Sequence, residues 1–110
     1  MELLIIILGK EEYFETVLSI LAELEVSDSS TIIEGEKLGQ FLADRVPIFA
    51  GLREMMGQRK TACKVIMTLV EKNKFMPGFT KLLAEENIDF TRPDTGAIIT
   101  IPVDTAITSR

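Results

Sequence analysis

The sequence predicts an α+β fold: a ferredoxin-like βαββαβ sandwich, with a four-stranded antiparallel sheet, two helices on one of its faces and a long loop between strands 2 and 3. Three observations carry that prediction. Segments of strand and helix character follow in the order strand, helix, strand, strand, helix, strand. Both helical segments place apolar residues three and four apart, so each has one face to bury. A stretch with neither period separates the second strand from the third. Two βαβ halves with right-handed crossovers close into one sheet, with both helices on the same side.

The opening run "ELLIIILG" is short, continuously apolar and ended by glycine, which suits a strand buried on both faces. In "KEEYFETVLSILAELEV" the residues Phe14, Val17, Leu18, Leu21 and Leu24 share a helical face, and Glu11 and Glu12 complement the helix dipole in its first turn. "SDSS" makes a polar turn, and "STIIEG" begins a second strand rich in β-branched residues. "TACKVIMTLV" reads as a third strand with Cys63, Val65, Met67 and Leu69 on one face. A second helix is expected within residues 73 to 87, with Phe75, Phe79, Leu82 and Leu83 on one side; Pro77 is tolerable only in a first turn, which makes Asn73 the expected N-cap. "IDFTRPDTG" is a turn-rich connection, and "AIITIPV" is the last strand, placed at an edge by Pro102.

Residues 36 to 61 form the exception. A long irregular connection inside a small domain is usually functional or disordered. Disordered segments are poor in large apolar residues, whereas this one holds Leu38, Phe41, Leu42, Val46, Ile48, Phe49, Leu52, Met55 and Met56.

A chain of 110 residues makes one domain, spanning 1–110, with the loop as an insertion at approximately 36–61. No apolar run approaches the roughly 18 residues that cross a bilayer, so no membrane insertion is expected. Glu2 stands where a signal peptide would carry basic charge, which points to a cytoplasmic protein. The net charge of −5 argues against a nucleic-acid partner. Arg53, Arg59, Lys60 and Lys64 form a local exception, a solvated loop rim or a small anion site.

Cys63 is the only cysteine, which excludes an internal disulfide and suits a small core residue. The chain has no histidine, which removes the commonest general base and most zinc chemistry. Glu34, Glu36 and Asp44 are the carboxylates near the loop, and solvated surface is their simpler role. The expectation is therefore no enzyme and no metal site. The open face of the sheet would still show apolar residues, which implies a partner surface, and a homo-oligomer that packs sheet faces together is the economical answer.

At the C-terminus, "TGAIITIPVDTAITSR" resembles the closing segment of the nitrogen-regulatory PII-like (GlnB-like) superfamily, in which a glycine-containing turn leads to a strand and a short run ending in arginines. "TIIEGEKLGQ" is similar to that family's second strand and loop base, and "IFAGLRE" to its loop motif Y-R-G-A-E. The element order matches across essentially the whole chain. The resemblance implies a divergent member of the superfamily: a homotrimer that binds an adenine nucleotide such as ATP or ADP in clefts between subunits. The long T-loop of such a protein docks on a membrane transporter or an enzyme and changes shape with the bound ligand, so that the partner reads the shift. By this resemblance Gly35, Gly39 and Gln40 shape the loop base, Gly96 belongs to the phosphate turn and Arg110 reaches in from the C-terminus. Phe41, Phe49, Leu52, Arg53, Met55 and Met56 are the candidate partner-binding residues of the loop.

The departures bear on the ligand. The family's turn G-D-G-K aligns with Asp94-Thr95-Gly96-Ala97, so its lysine is replaced by Ala97, and Thr108 stands at one arginine position. The loop-base motif R-Q-K-G becomes Leu38-Gly39-Gln40-Phe41. Fewer cations mean fewer charge-assisted hydrogen bonds to a triphosphate. Leu52 and Glu54 stand where signalling members carry a modifiable tyrosine or serine, so control by uridylylation or phosphorylation there is not expected. The competing reading is an interaction module without a small ligand, whose apolar loop, expected to be partly helical and partly packed, docks directly on a partner. A metal-tolerance protein of the related CutA type would carry tryptophans, and this chain has none.

Overall fold

The computed structural model describes residues 1–38, 42, 45, 48 and 62–109. Strand β1, Glu2–Leu8, is flanked by β3, Ala62–Val70, and β4, Gly96–Pro102, while β2, Thr31–Glu36, pairs with the outer side of β3. Every pairing is antiparallel and the order is β2-β3-β1-β4, so the described strands form the predicted ferredoxin-like sheet. Pro102 does lie in an edge strand, where a missing N–H costs no ladder bond.

Helices α1, Phe14–Glu23, and α2, Lys72–Glu85, cover one face. Leu4, Ile6 and Leu8 of β1 and Ile66 and Val70 of β3 are buried against Val17, Ile20 and Leu21 of α1 and Phe75, Phe79 and Leu83 of α2. Phe75 and Phe79 stack with ring centroids 5.1 Å apart, the one-turn spacing of a helix. Ile88 joins this core as well.

β1 is not buried on both faces within one chain. Leu3, Ile5 and Ile7, which point away from the helices, stay half-exposed, because nothing described in the chain covers that side. The start of α2 also departs from expectation. Glu71, not Asn73, is the N-cap, and Pro77 sits inside the helix rather than in its first turn. No side chain of the cap itself closes this end; instead the Glu2 carboxylate of β1 accepts the backbone N–H of Lys72 at 3.2 Å. A carboxylate there meets both a free N–H and the positive end of the dipole. The helix thus starts early enough for strand β1 to cap it, and Pro77 falls in its second turn.

Both helices end in the same way. After α1, Glu25 takes φ 62°, with Glu25 N–H donating to Ala22 O and Val26 N–H to Leu21 O. After α2, Asn87 takes φ 57°, with Asn87 N–H donating to Ala84 O and Ile88 N–H to Leu83 O. These are Schellman closures built without glycine.

Candidate functional site: the loop end of the sheet and its open face

The register places the resemblance residues. Glu34, Lys64, Leu8 and Gly96 form one row across the four strands, and Gly35 stands one residue further along, opposite Cys63. Gly35 and Gly96 therefore share an end of the sheet but lie on opposite edges. Three strand spacings separate them, about 14 Å. Gly39, Gln40, Phe41, Phe49, Leu52, Arg53, Met55, Met56 and Arg110 lie outside the described residues, as does the predicted shape of the loop.

Each of the two glycines has a local reason to be glycine. At Gly35 a Cβ would sit 2.9 Å from Cys63 Sγ, so the thiol fills the space a side chain would need. At Gly96, φ is 136° and a Cβ would meet the Ile7 carbonyl oxygen at 1.7 Å. Around Gly9 three segments converge: its N–H donates to Thr95 O at 2.9 Å, and a Cβ on it would lie 2.5 Å from Asp94 O and 3.3 Å from Lys37 Nζ. Lys37 thus carries its ammonium from the loop base to the turn that resembles a phosphate turn. The family resemblance does not mark this residue; its basic charge in "GEKLG", next to the apolar loop, is the signal for it in the sequence.

Other charges at this end are compensated. Lys64 pairs with Glu34 and lies 5.3 Å from the centre of the Phe14 ring, so it is a partnered residue rather than a vacant cation. Arg45 meets Glu36 at 3.0 Å. Among the described residues no three or more histidine, cysteine, aspartate or glutamate side chains gather as a metal site. The turn that leads to β4 is braced by Asp89, whose carboxylate accepts the Thr91 hydroxyl at 2.6 Å and the Thr91 N–H at 2.9 Å. The hydroxyl bond first, then the backbone bond, holds the Asp89 carboxyl below its ordinary value.

The face away from the helices carries a continuous apolar surface. Pairing aligns Ile33, Val65, Ile7 and Ala97 in one row, Thr31, Met67, Ile5 and Ile99 in the next, and Leu69, Leu3 and Ile101 in a third. No charged residue interrupts these rows. Ile33, Ile99 and Ile101 are exposed, and the central residues are half-exposed. Monomeric proteins rarely leave a patch of this kind bare.

The C-terminal tail runs the other way. Val103 N–H donates to Met1 O, and Thr108 and Ser109 line a hollow of about 630 Å³ with Glu25, Asp28, Ser29 and Leu69. Thr108 therefore lies at the end of the sheet opposite Gly96; the six steps of β4 alone span roughly 20 Å.

No protein-family model matches the chain, and no curated protein matches it. No helix among the described residues is long and apolar enough to cross a membrane.

Proposed function

We propose that the chain is a PII-like regulatory protein: a homotrimer that binds a small ligand, an adenine nucleotide such as ATP or ADP, in clefts between its subunits. The long loop then acts on a transporter or an enzyme. The observation that carries this reading is the separation of Gly35 and Gly96 to opposite edges at one end of the sheet. With the two at opposite edges, copies set edge to edge would bring the loop base of one beside the turn of the next, and the uncharged open face supplies the surface on which copies would associate. In such a cleft Lys37 faces the turn where Ala97 supplies no cation, and Arg110 at the C-terminus is the second cation that this reading assigns to the ligand.

Thermal denaturation with and without ATP, ADP, AMP and cyclic dinucleotides tests the ligand. A nucleotide at about 100 times its dissociation constant stabilises the fold by roughly 2.7 kcal/mol. A midpoint unmoved by all of them removes the nucleotide from this account.

The second reading, an interaction module without a small ligand, is favoured by the described part of the loop. Leu38 is 71% exposed and Ile48 83% exposed, apolar side chains offered to solvent. A partner retained on the wild-type protein in nucleotide-free buffer, and lost with Leu38→Asp, would support it.

A further inference from the structure

On the helix side of the sheet, between the C-terminal end of α2 and β4, lies a hollow of about 480 Å³. Its walls are apolar: Leu83 of α2, Ile88 and Phe90 of the connection that follows, and Ile98 of β4. A space of this size and lining suits a small molecule held by a few polar groups. Among the described residues that line it, Asp89 and Arg92 alone are charged, and both are exposed. Their ion pair is incomplete. Asp89 Oδ1 accepts the hydroxyl and the N–H of Thr91, whereas Arg92 Nε stays 3.8 Å from Oδ2, beyond hydrogen-bond reach. The backbone around the pair is pinned, since Arg92 N–H donates to Asp89 O and Thr95 N–H donates to Arg92 O. Asn87, which closes α2 at φ 57° where glycine is usual, adds a carboxamide to the lining.

We propose that this hollow binds a free α-amino acid with an apolar side chain. The side chain lies against Leu83, Ile88, Phe90 and Ile98, the carboxylate meets Arg92 and the ammonium meets Asp89. Charge complementarity selects this class of ligand. Arg92 presents a planar fork of donors that matches a carboxylate. Asp89 keeps one oxygen for an ammonium, and the C-terminal end of α2 favours positive charge in the same place. A plain carboxylic acid would satisfy Arg92 but face both Asp89 and the negative end of the helix. A plain amine would satisfy Asp89 but face Arg92. An α-amino acid carries both charges on one carbon, beside the side chain that fills the hollow. The site uses a single copy of the chain and none of the residues assigned to the nucleotide cleft, so it stands or falls apart from that reading.

The test titrates L-phenylalanine and L-leucine into the full chain and follows backbone amides by NMR. Saturable shifts are expected between Leu83 and Ile98; their absence with both amino acids overturns the proposal. Two analogues of L-phenylalanine each lack one charge: phenylpropanoate has no ammonium and phenylethylamine no carboxylate. Each is expected to bind about tenfold more weakly than the amino acid. Phenylpropanoate binding as tightly as L-phenylalanine would make this a plain carboxylate site and overturn the ammonium contact. Variants separate the two contacts from a structural role. Arg92→Gln is expected to weaken L-phenylalanine about tenfold and leave phenylethylamine unchanged, and Asp89→Asn to weaken L-phenylalanine while sparing phenylpropanoate. Equal losses for all three compounds in either variant would contradict the assignment. Ala84→Trp, at an exposed position on the α2 wall, fills the hollow and is expected to abolish binding with circular dichroism unchanged. Undiminished binding in that variant would put the ligand elsewhere and overturn the site.

Discussion

Gly96 lies so close to Ile7 that a Cβ would come within 1.7 Å of the Ile7 carbonyl oxygen. Its φ of 136° is one that L-residues rarely adopt, and the contact is with backbone of the central strand, which cannot move aside. Gly96→Ala is therefore expected to destabilise the fold by about 3 kcal/mol or more, measured by urea unfolding. Loss of ligand binding in that variant would report unfolding rather than a missing contact. The informative change at this turn is Lys37→Ala, which removes the ammonium beside Gly9 from an exposed residue. Under the nucleotide reading it weakens ATP binding about tenfold, roughly 1.4 kcal/mol. Calorimetric titration with ATP decides, and unchanged affinity counts against a phosphate at this turn.

Thr68 and Ser29 make an asymmetric pair. Their hydroxyls lie 3.0 Å apart, and Ser29 Oγ also donates to Val26 O at 3.1 Å. Ser29 has one hydroxyl proton, so the buried Thr68 hydroxyl is the donor between them. Ser29→Ala strands that hydroxyl in the core and is expected to cost about 1–3 kcal/mol, whereas Thr68→Val removes the polar group and costs about 1 kcal/mol or less. Equal losses in chemical denaturation would contradict this assignment of the proton.

The turn before β4 carries a pH signature. Thr91 holds the Asp89 carboxyl below its ordinary value of 3.8, so the unfolded chain takes up that proton first as pH falls. The contribution to stability is fully present above the unfolded value and is lost as pH falls through the lower folded one. Thr91→Ala removes the larger of the two hydrogen bonds and should move the Asp89 midpoint upward in a carboxyl-detected NMR titration. An unmoved midpoint would show that the hydroxyl bond is not the cause.

The element order, the antiparallel sheet and the apolar faces were legible because periodicity reports them directly: Leu4, Ile6 and Leu8 alternate with Leu3, Ile5 and Ile7. Which of those faces is covered was not legible, since an aliphatic run reads alike whether a helix or another chain lies against it. Pro77 points to a start of α2 two residues too late, because proline favours a first turn, whereas the cap comes from Glu2, seventy residues earlier in the chain. The helix ends were hidden because Glu25 and Asn87 close them where glycine is the usual sign. At the candidate site, the family motifs mark Gly35 and Gly96 but not Lys37, which reaches the turn only through the fold.

The central claim is that the uncharged open face joins copies of this chain. Multi-angle light scattering of the wild-type protein and of Ile99→Glu, a substitution at an exposed position of that face, tests it most directly. Wild type is expected at the mass of three chains of 12.3 kDa each, and Ile99→Glu at the mass of one chain with its circular dichroism unchanged. A wild-type mass of a single chain across a wide concentration range would contradict the claim.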